Sequence, residues 1–217
     1  MINIEIIKEY YPLLIQGTFV TLQIALYSCI VGSIIGSISG VALAGTNKFL
    51  KSLISVYVTI IRGTPMLIQI TATFYLLKLA GYQITAFWSA ILSIGLNSGA
   101  YLSQIIFAGI QSIGKGQIEA AKTLGLSKLQ TTKLIILPQA IRTMLPALGS
   151  EFITLVKDSS LASTIGIYEL TKQGQLIMSQ SYDMPTMYLA IGLIYLILTS
   201  LVSFGISLLE KKLRIPC

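Results

Sequence analysis

Residues 10–47 read YYPLLIQGTFVTLQIALYSCIVGSIIGSISGVALAGTN, and no charge interrupts the chain between Glu9 and Lys48. About 20 apolar residues of helix cross roughly 30 Å of hydrocarbon, so this stretch alone places the chain among the α-helical membrane proteins. It is too long for one perpendicular helix and divides into an interfacial segment at residues 10–16 and a span at residues 18–44. Within the span Gly32, Gly36 and Gly40 recur every fourth residue beside Ser33 and Ser37. That small-residue face admits a second helix at close range. Whether the partner helix lies in the same chain or in a second copy stays open at this point.

The composition points the same way. Of 217 residues 54% are hydrophobic and only 11% charged, against about 25% charged in a soluble domain. A water-soluble globule is excluded. Fifteen Lys+Arg against eight Asp+Glu leave +7; with no basic tail or arm, that excess speaks of membrane orientation, and no nucleic-acid partner is expected. The chain has no histidine, which removes Ser-His-Asp catalysis and the usual zinc sites. Cys29 lies in an apolar run and Cys217 is the last residue, so no disulfide framework is expected. Residues 1–10 lack a basic n-region and a small-residue cleavage site, so removal of a signal peptide is not expected.

Working outward by charge-free stretches gives five expected spans in one transmembrane domain over residues 1–217: residues 18–44, 52–77, 84–113, 139–162 and 184–209, with a polar segment at residues 114–138. The second is interrupted by Arg62-Gly63-Thr64-Pro65, and the fourth is the weakest, since it holds Pro146, Glu151, Lys157 and Asp158. Five spans put the termini on opposite sides. Placing Lys48, Lys51, the lysines of residues 114–138, Arg142, Lys211, Lys212 and Arg214 inside sets Lys8, Lys78 and Lys172 outside. The positive-inside rule then sets the N-terminus outside and the C-terminus in the cytoplasm. Residues 165–177 read as a short amphipathic helix lying on the outer surface.

The polar segment at residues 117–140 reads helix, break, helix. Glu119 to Leu124 are good helix formers, Gly125 supplies the stop, and Ser127-x-x-Gln130 starts the next helix as a capping box. Glu119 is expected to favour the positive N-terminal end of its helix. Pro138 is expected to end the second helix or kink it into the fourth span. One reading is a basic loop that merely obeys the positive-inside rule; the other is a rigid elbow that pushes on a partner.

Polar groups also gather inside the membrane, where an ionisable residue defaults to a functional role. At 1.5 Å per residue, Arg62 lies roughly 15 Å into its span, Asn97 and Tyr101 about 20–25 Å from the outer end of theirs, and Glu151 about 18 Å from the inner end of its own. Gly63, Pro65 and Pro146 break or bend helices at this depth and free backbone groups for a polar solute. Glu151 and Asp158, seven residues apart, share one helical face about 10 Å apart, with Thr154 nearby. Two carboxylates on one wall suit a cationic solute, and Asn97, Ser98 and Tyr101 are candidate donors to its carboxylate. In the structural alternative Arg62 pairs with Glu151 to hold the bundle, and Asp158 belongs to an outer gate.

Gly109-x4-Gly114-Lys115-Gly116 nearly spells a phosphate-binding loop. The final residue is Gly where a hydroxyl must hold magnesium, and the preceding element is a membrane helix rather than a strand. The energy for any pumping therefore has to come from elsewhere.

Glu119-Ala120-Ala121, Gly125 and Ile135-Ile136-Leu137-Pro138 match the E-A-A-x-x-x-G-x(9)-I-x-L-P signature, and so the chain resembles the membrane subunits of ABC-type importers. Arg62-Gly63-Thr64-Pro65-Met66-Leu67-x-Gln69, Asn97-Ser98-Gly99-Ala100-Tyr101 and Lys157-Asp158-Ser159-Ser160-Leu161 look like segments of the polar amino acid permease branch. The resemblance implies an all-α type I importer fold in a bacterial cytoplasmic membrane. It also implies a second permease copy (identical or a paralogue), two cytoplasmic ATPases that bind ATP and magnesium, and an external solute-binding protein. The helix carrying Ile118, Glu119, Ala120, Ala121 and Leu124, with its turn at Gly125, resembles the coupling helix that seats in the ATPase. The expected cargo is a polar amino acid, with arginine, lysine and histidine favoured. The competing expectation is an ion-coupled carrier or channel that uses Glu151 and Asp158. A lipid transferase lacks the paired aspartates such sites use, since Asp158 and Asp183 are the chain's only ones.

Overall fold

A computed structural model describes residues 2–213, so Arg214 and Cys217 fall outside it. The first helix, α1 (Ile4–Ala44), is capped by the Asn3 side chain, which accepts from the Glu5 amide, and ends at Gly45. Its 41 residues make a rod of about 60 Å. The separate interfacial segment expected at residues 10–16 does not exist. Pro12 removes one backbone donor without ending the helix, because Leu14 and Gly17 on either side of the next turn are buried against later elements.

Next come α2 (Lys48–Arg62), α3 (Met66–Leu79) and α4 (Ala86–Gln111). The expected second span is in fact two helices, α2 and α3, bent by 105° at residues 63–65. Gly63 closes α2 through its amide to the Thr59 carbonyl, 2.9 Å, and Pro65 starts α3 without offering an amide of its own. Helix α4 runs parallel to α1 along the glycine seam. A Cβ on Gly32, Gly36 or Gly40 would lie 2.8, 2.5 or 2.7 Å from the Cβ of Ser98, Leu102 or Ile106. From the other side Gly95 and Gly99 receive Val31 and Ile35. The small face of α1 is thus filled from within the chain, by backbone-to-backbone approach that in lipid relies on dispersion contacts.

The elbow comprises α5 (Lys115–Thr123), the single turn α6 (Lys128–Thr131) and a π-helical turn at Thr132–Ile136, which leads into α7 (Leu137–Asp158). Pro138 does not end the helix: it follows the π turn inside a helical run continuous from Lys128 to Asp158, and the change of register falls in that turn. A 3-10 segment, Ser159–Ile165, left-handed Gly166 (φ 84°), α8 (Leu170–Ser181) and α9 (Met184–Leu213) complete the chain. The helix expected to lie on the surface at residues 165–177 instead starts at Leu170 and is packed inward, with Leu170 and Ile177 fully buried. Glu169 sets its start by capping the amides of Thr171 and Lys172.

Among the described residues α1, α4 and α9 are long and apolar enough to cross a membrane, and the bent pair α2–α3 passes the same criterion together. Helix α7 does not, as its charges foretell. The main core joins Ile24, Ile70, Phe74, Ile94, Leu155, Ile165 and their neighbours, drawing together α1, α3, α4, α7 and the 3-10 segment.

Candidate translocation site and ATPase-docking elbow

Two clusters of polar residues flank α4. The first forms at the α2–α3 break. Arg62, the last residue of α2, lays its guanidinium 4.8 Å from the Tyr101 ring centre, a cation–π contact. Asn97, one turn before Tyr101, donates to Gln69 Oε1 at 2.9 Å. Gln69 Nε2 reaches back to the Ile61 and Thr64 carbonyls, 2.6 and 3.0 Å. Gln69 thus stitches the broken backbone and ties it to α4. Tyr57 adds a second tie, its hydroxyl donating to the Leu96 carbonyl on α4. Tyr57 is not among the residues singled out from sequence, and Gln69 is named there only as the end of the Arg62–Gln69 segment, with no role of its own.

The second cluster faces α7. Ser98 is fully buried and its hydroxyl has no hydrogen-bond partner. The half-buried Glu151 carboxyl lies beside it and within electrostatic reach of Asp158 and Cys29. The neighbouring Ser98 and Glu151 therefore stop short of a formed hydrogen bond. Asp158 is the last residue of α7, at the negative end of the helix dipole and next to the cationic Lys157. Thr154 points its hydroxyl at the Ser150 carbonyl of its own helix, 3.1 Å. The structure therefore brings Arg62, Asn97 and Tyr101 together and, separately, Ser98 and Glu151. The partner it gives Arg62 is Tyr101, so the alternative pairing with Glu151 is not formed.

A cavity of about 610 Å³ lies elsewhere, between α1, α4, the π turn and α7; it is lined by residues such as Leu102, Ile106, Ile136 and Met144. Its apolar walls suit no polar solute.

At the elbow, α5 starts at Lys115, so Glu119 lies beyond the first turn and not at the N-terminal end where sequence placed it. Gly125 (φ 75°) ends the helix as expected: its amide meets the Lys122 carbonyl, 2.9 Å, and the Leu126 amide meets the Ala121 carbonyl, 3.0 Å. Ser127 and Gln130 form the reciprocal capping box. Ala121 is buried, Ile118 half-buried, and Glu119, Ala120 and Leu124 are exposed, Leu124 at 79%. Gln139 Nε2 donates to Gln117 Oε1 at 2.6 Å, holding α5 against the base of α7. The near phosphate loop is dismantled: Gly109 sits inside α4 against Met144.

Comparison with known proteins decides what such an elbow belongs to. Residues 32–215 match the family described as binding-protein-dependent transport system inner membrane component. The chain belongs to this family of ABC importer permeases. The permease is 37% identical to the glutamine transport system permease protein GlnP of Escherichia coli K12 over 206 residues, 94% of each chain. It is 34% identical to a putative GlnP of Rickettsia conorii over 213 residues, 96% of this chain and 98% of that one. A crystal structure of an amino acid ABC transporter with histidines superposes with a TM-score of 0.91 at 35% identity, covering 98% of the permease and 99% of that chain. The inward-facing MetNI methionine ABC transporter shares the fold, with a TM-score of 0.80 at 23% identity over 94% and 97% of the two chains. Membership makes the permease a transport subunit rather than an enzyme, and implies an ATPase and a solute-binding protein as partners.

Proposed function

We propose that the permease carries a basic amino acid through a dimer of permeases in a bacterial cytoplasmic membrane, with two ATPases docked on the α5 elbows. It crosses the membrane five times with its N-terminus outside; α2–α3 supplies one span as a bent pair and α7 the span that hydropathy alone underrates. The observation that carries the cargo reading is the pair Glu151 and Asp158 on one face of α7, the second at the negative end of the helix dipole. A cationic side chain and an α-ammonium relieve both; Asn97, Tyr101 and Arg62, in the separate cluster at the α2–α3 break, offer donors to the α-carboxylate from the other side of α4, with the buried Ser98 and Thr154 on the α7 side. Ile118, Glu119, Ala120, Ala121, Leu124 and the Gly125 turn form the ATPase contact. ATP-driven closure of the ATPases pulls the elbows, and the rocking of α7 and α4 alternates access to the site.

Glutamine is the second reading, favoured by the names of the curated relatives. The test is ATP-dependent uptake of labelled arginine, lysine, histidine, glutamine and glutamate by proteoliposomes holding the permease, its ATPase and its binding protein. Uptake confined to the cationic three supports the carboxylate reading; uptake confined to glutamine overturns it and leaves the permease role intact.

A further inference from the structure

Outside both polar clusters lies one more buried carboxylate. Glu169 is fully buried and no step above uses it. Its Oε1 accepts from the Lys172 amide at 2.8 Å. Its Oε2 accepts from the Thr171 amide at 2.8 Å, the Tyr195 hydroxyl at 3.1 Å and the Thr21 hydroxyl at 3.5 Å. Thr21 Oγ1 in turn accepts from the Leu170 amide, 3.2 Å, and Tyr195 shares a bond with Thr171, 3.1 Å. Three helices, α1, α8 and α9, thereby meet on one side chain. Desolvation pushes the Glu169 carboxyl above the ordinary carboxylate range, and its hydrogen bonds pull the other way. Every neighbour is a donor, so the site is shaped for the acceptor-only, ionised group at the N-terminus of α8.

The segment held by this knot is the one that follows Asp158. The 3-10 turn Ser159–Ile165 packs on α1, α3 and α4, with Ser159 and Ala162 fully buried and Ile165 and Ile167 in the main core. At its far end Gly166 swings the chain through a left-handed turn toward Glu169, three residues on. One end of this turn carries Asp158, the other is tied down by Glu169.

We propose that Glu169 is a positioning residue of the outer gate: it pins the α7–α8 connection to α1 and α9, and the 3-10 turn seals the path above Glu151 and Asp158 only while that pin holds. The proposal rests on the orientation given above, with residues 159–181 toward the outside. A Gln at this position keeps the size but turns an NH₂ against an N–H or O–H donor, which breaks the knot without opening a hole.

The test uses the full transporter in proteoliposomes, with Cys29→Ser and Cys217→Ser to clear native thiols. A membrane-impermeant maleimide added outside reads a buried reporter, Ser159→Cys, and an exposed control on α8, Ser179→Cys. With Glu169 present the control labels and the reporter does not. With Glu169→Gln, reporter labelling rises about tenfold and binding-protein stimulation of the ATPase falls by a similar factor. Tyr195→Phe and Thr21→Val each remove one donor and leave the charge, so they move the same two readouts less, and Glu169→Asp partly restores them. If Glu169→Gln does not assemble, the Tyr195 and Thr21 variants decide by the same readouts. A reporter that stays shielded in the assembled variants, with the control labelled, overturns the latch. A control that labels only from the inside overturns the orientation, and the latch with it.

Discussion

The elbow at residues 114–138 and the polar centre around α4 are built by opposite means. In the elbow the turns and caps are made by residues a few positions apart, as in the Gly125 turn and the Ser127–Gln130 box. Around α4 the ties run between segments far apart in sequence: Asn97 to Gln69, Tyr57 to Leu96, Arg62 to Tyr101. Short-range chemistry suits a rigid tip that docks on a partner. Long-range ties suit a region that must move as helices move, because each tie reports the relative position of two helices.

The sharpest way to break this contrast is at the glycine seam. Gly36→Leu drives a side chain into Leu102, already 2.5 Å from an added Cβ, and overpacking of this kind costs about 1–3 kcal/mol or more. The permease is then expected to fall at least about tenfold in membrane extracts by immunoblot, whereas Gly116→Ala in the elbow, with open space around it, leaves the level unchanged. Next in size is Leu124→Glu. This side chain is 79% exposed, so folding is unaffected, while co-purification of the ATPase drops about tenfold if Leu124 is an anchor of the interface.

Gln69→Leu comes third. It leaves the Thr64 carbonyl and the Asn97 amide unpaired and the Ile61 carbonyl with only the long bond from the Thr64 hydroxyl, at about 1–3 kcal/mol. It should lower the thermal midpoint in detergent and reduce uptake while ATPase docking stays at the wild-type level. The smallest effect is Gly125→Ala, which forces a Cβ into a left-handed turn (φ 75°) for about 1 kcal/mol; a modest rise in ATP turned over per solute carried is expected, with no change in assembly.

The same contrast explains what could be read from the amino-acid sequence. The elbow was legible nearly to the residue, because caps and turns are local rules; the placement of Glu119 failed, since α5 starts earlier than the good helix formers do, and the π turn before Pro138 was not foreseen. The Gly32-Gly36-Gly40 face was legible as a packing surface, but its partner was not, since nothing local says that Ser98, Leu102 and Ile106 fill it. The 105° bend was visible as a break without an angle, because the angle follows from where Gln69 and Tyr57 fasten the two halves to α4. The inward packing of α8 was missed because a moderately amphipathic 12-residue helix looks alike whether its apolar face meets lipid or Gly17 and Ile191. The buried Glu169 that roots it has no pattern of its own.

On the proposed reading the elbow receives the work of a separate ATPase while the carboxylate wall of α7 receives the cargo. This reading is tested most directly by measuring binding-protein-stimulated ATPase activity and labelled arginine uptake in the same proteoliposomes, for wild type, Leu124→Glu and Glu151→Gln. Leu124→Glu is expected to lose both activities, and Glu151→Gln to keep the stimulated ATPase and lose arginine uptake. Wild-type arginine uptake by Glu151→Gln, or uptake driven by an ion gradient with no ATPase present, would contradict it.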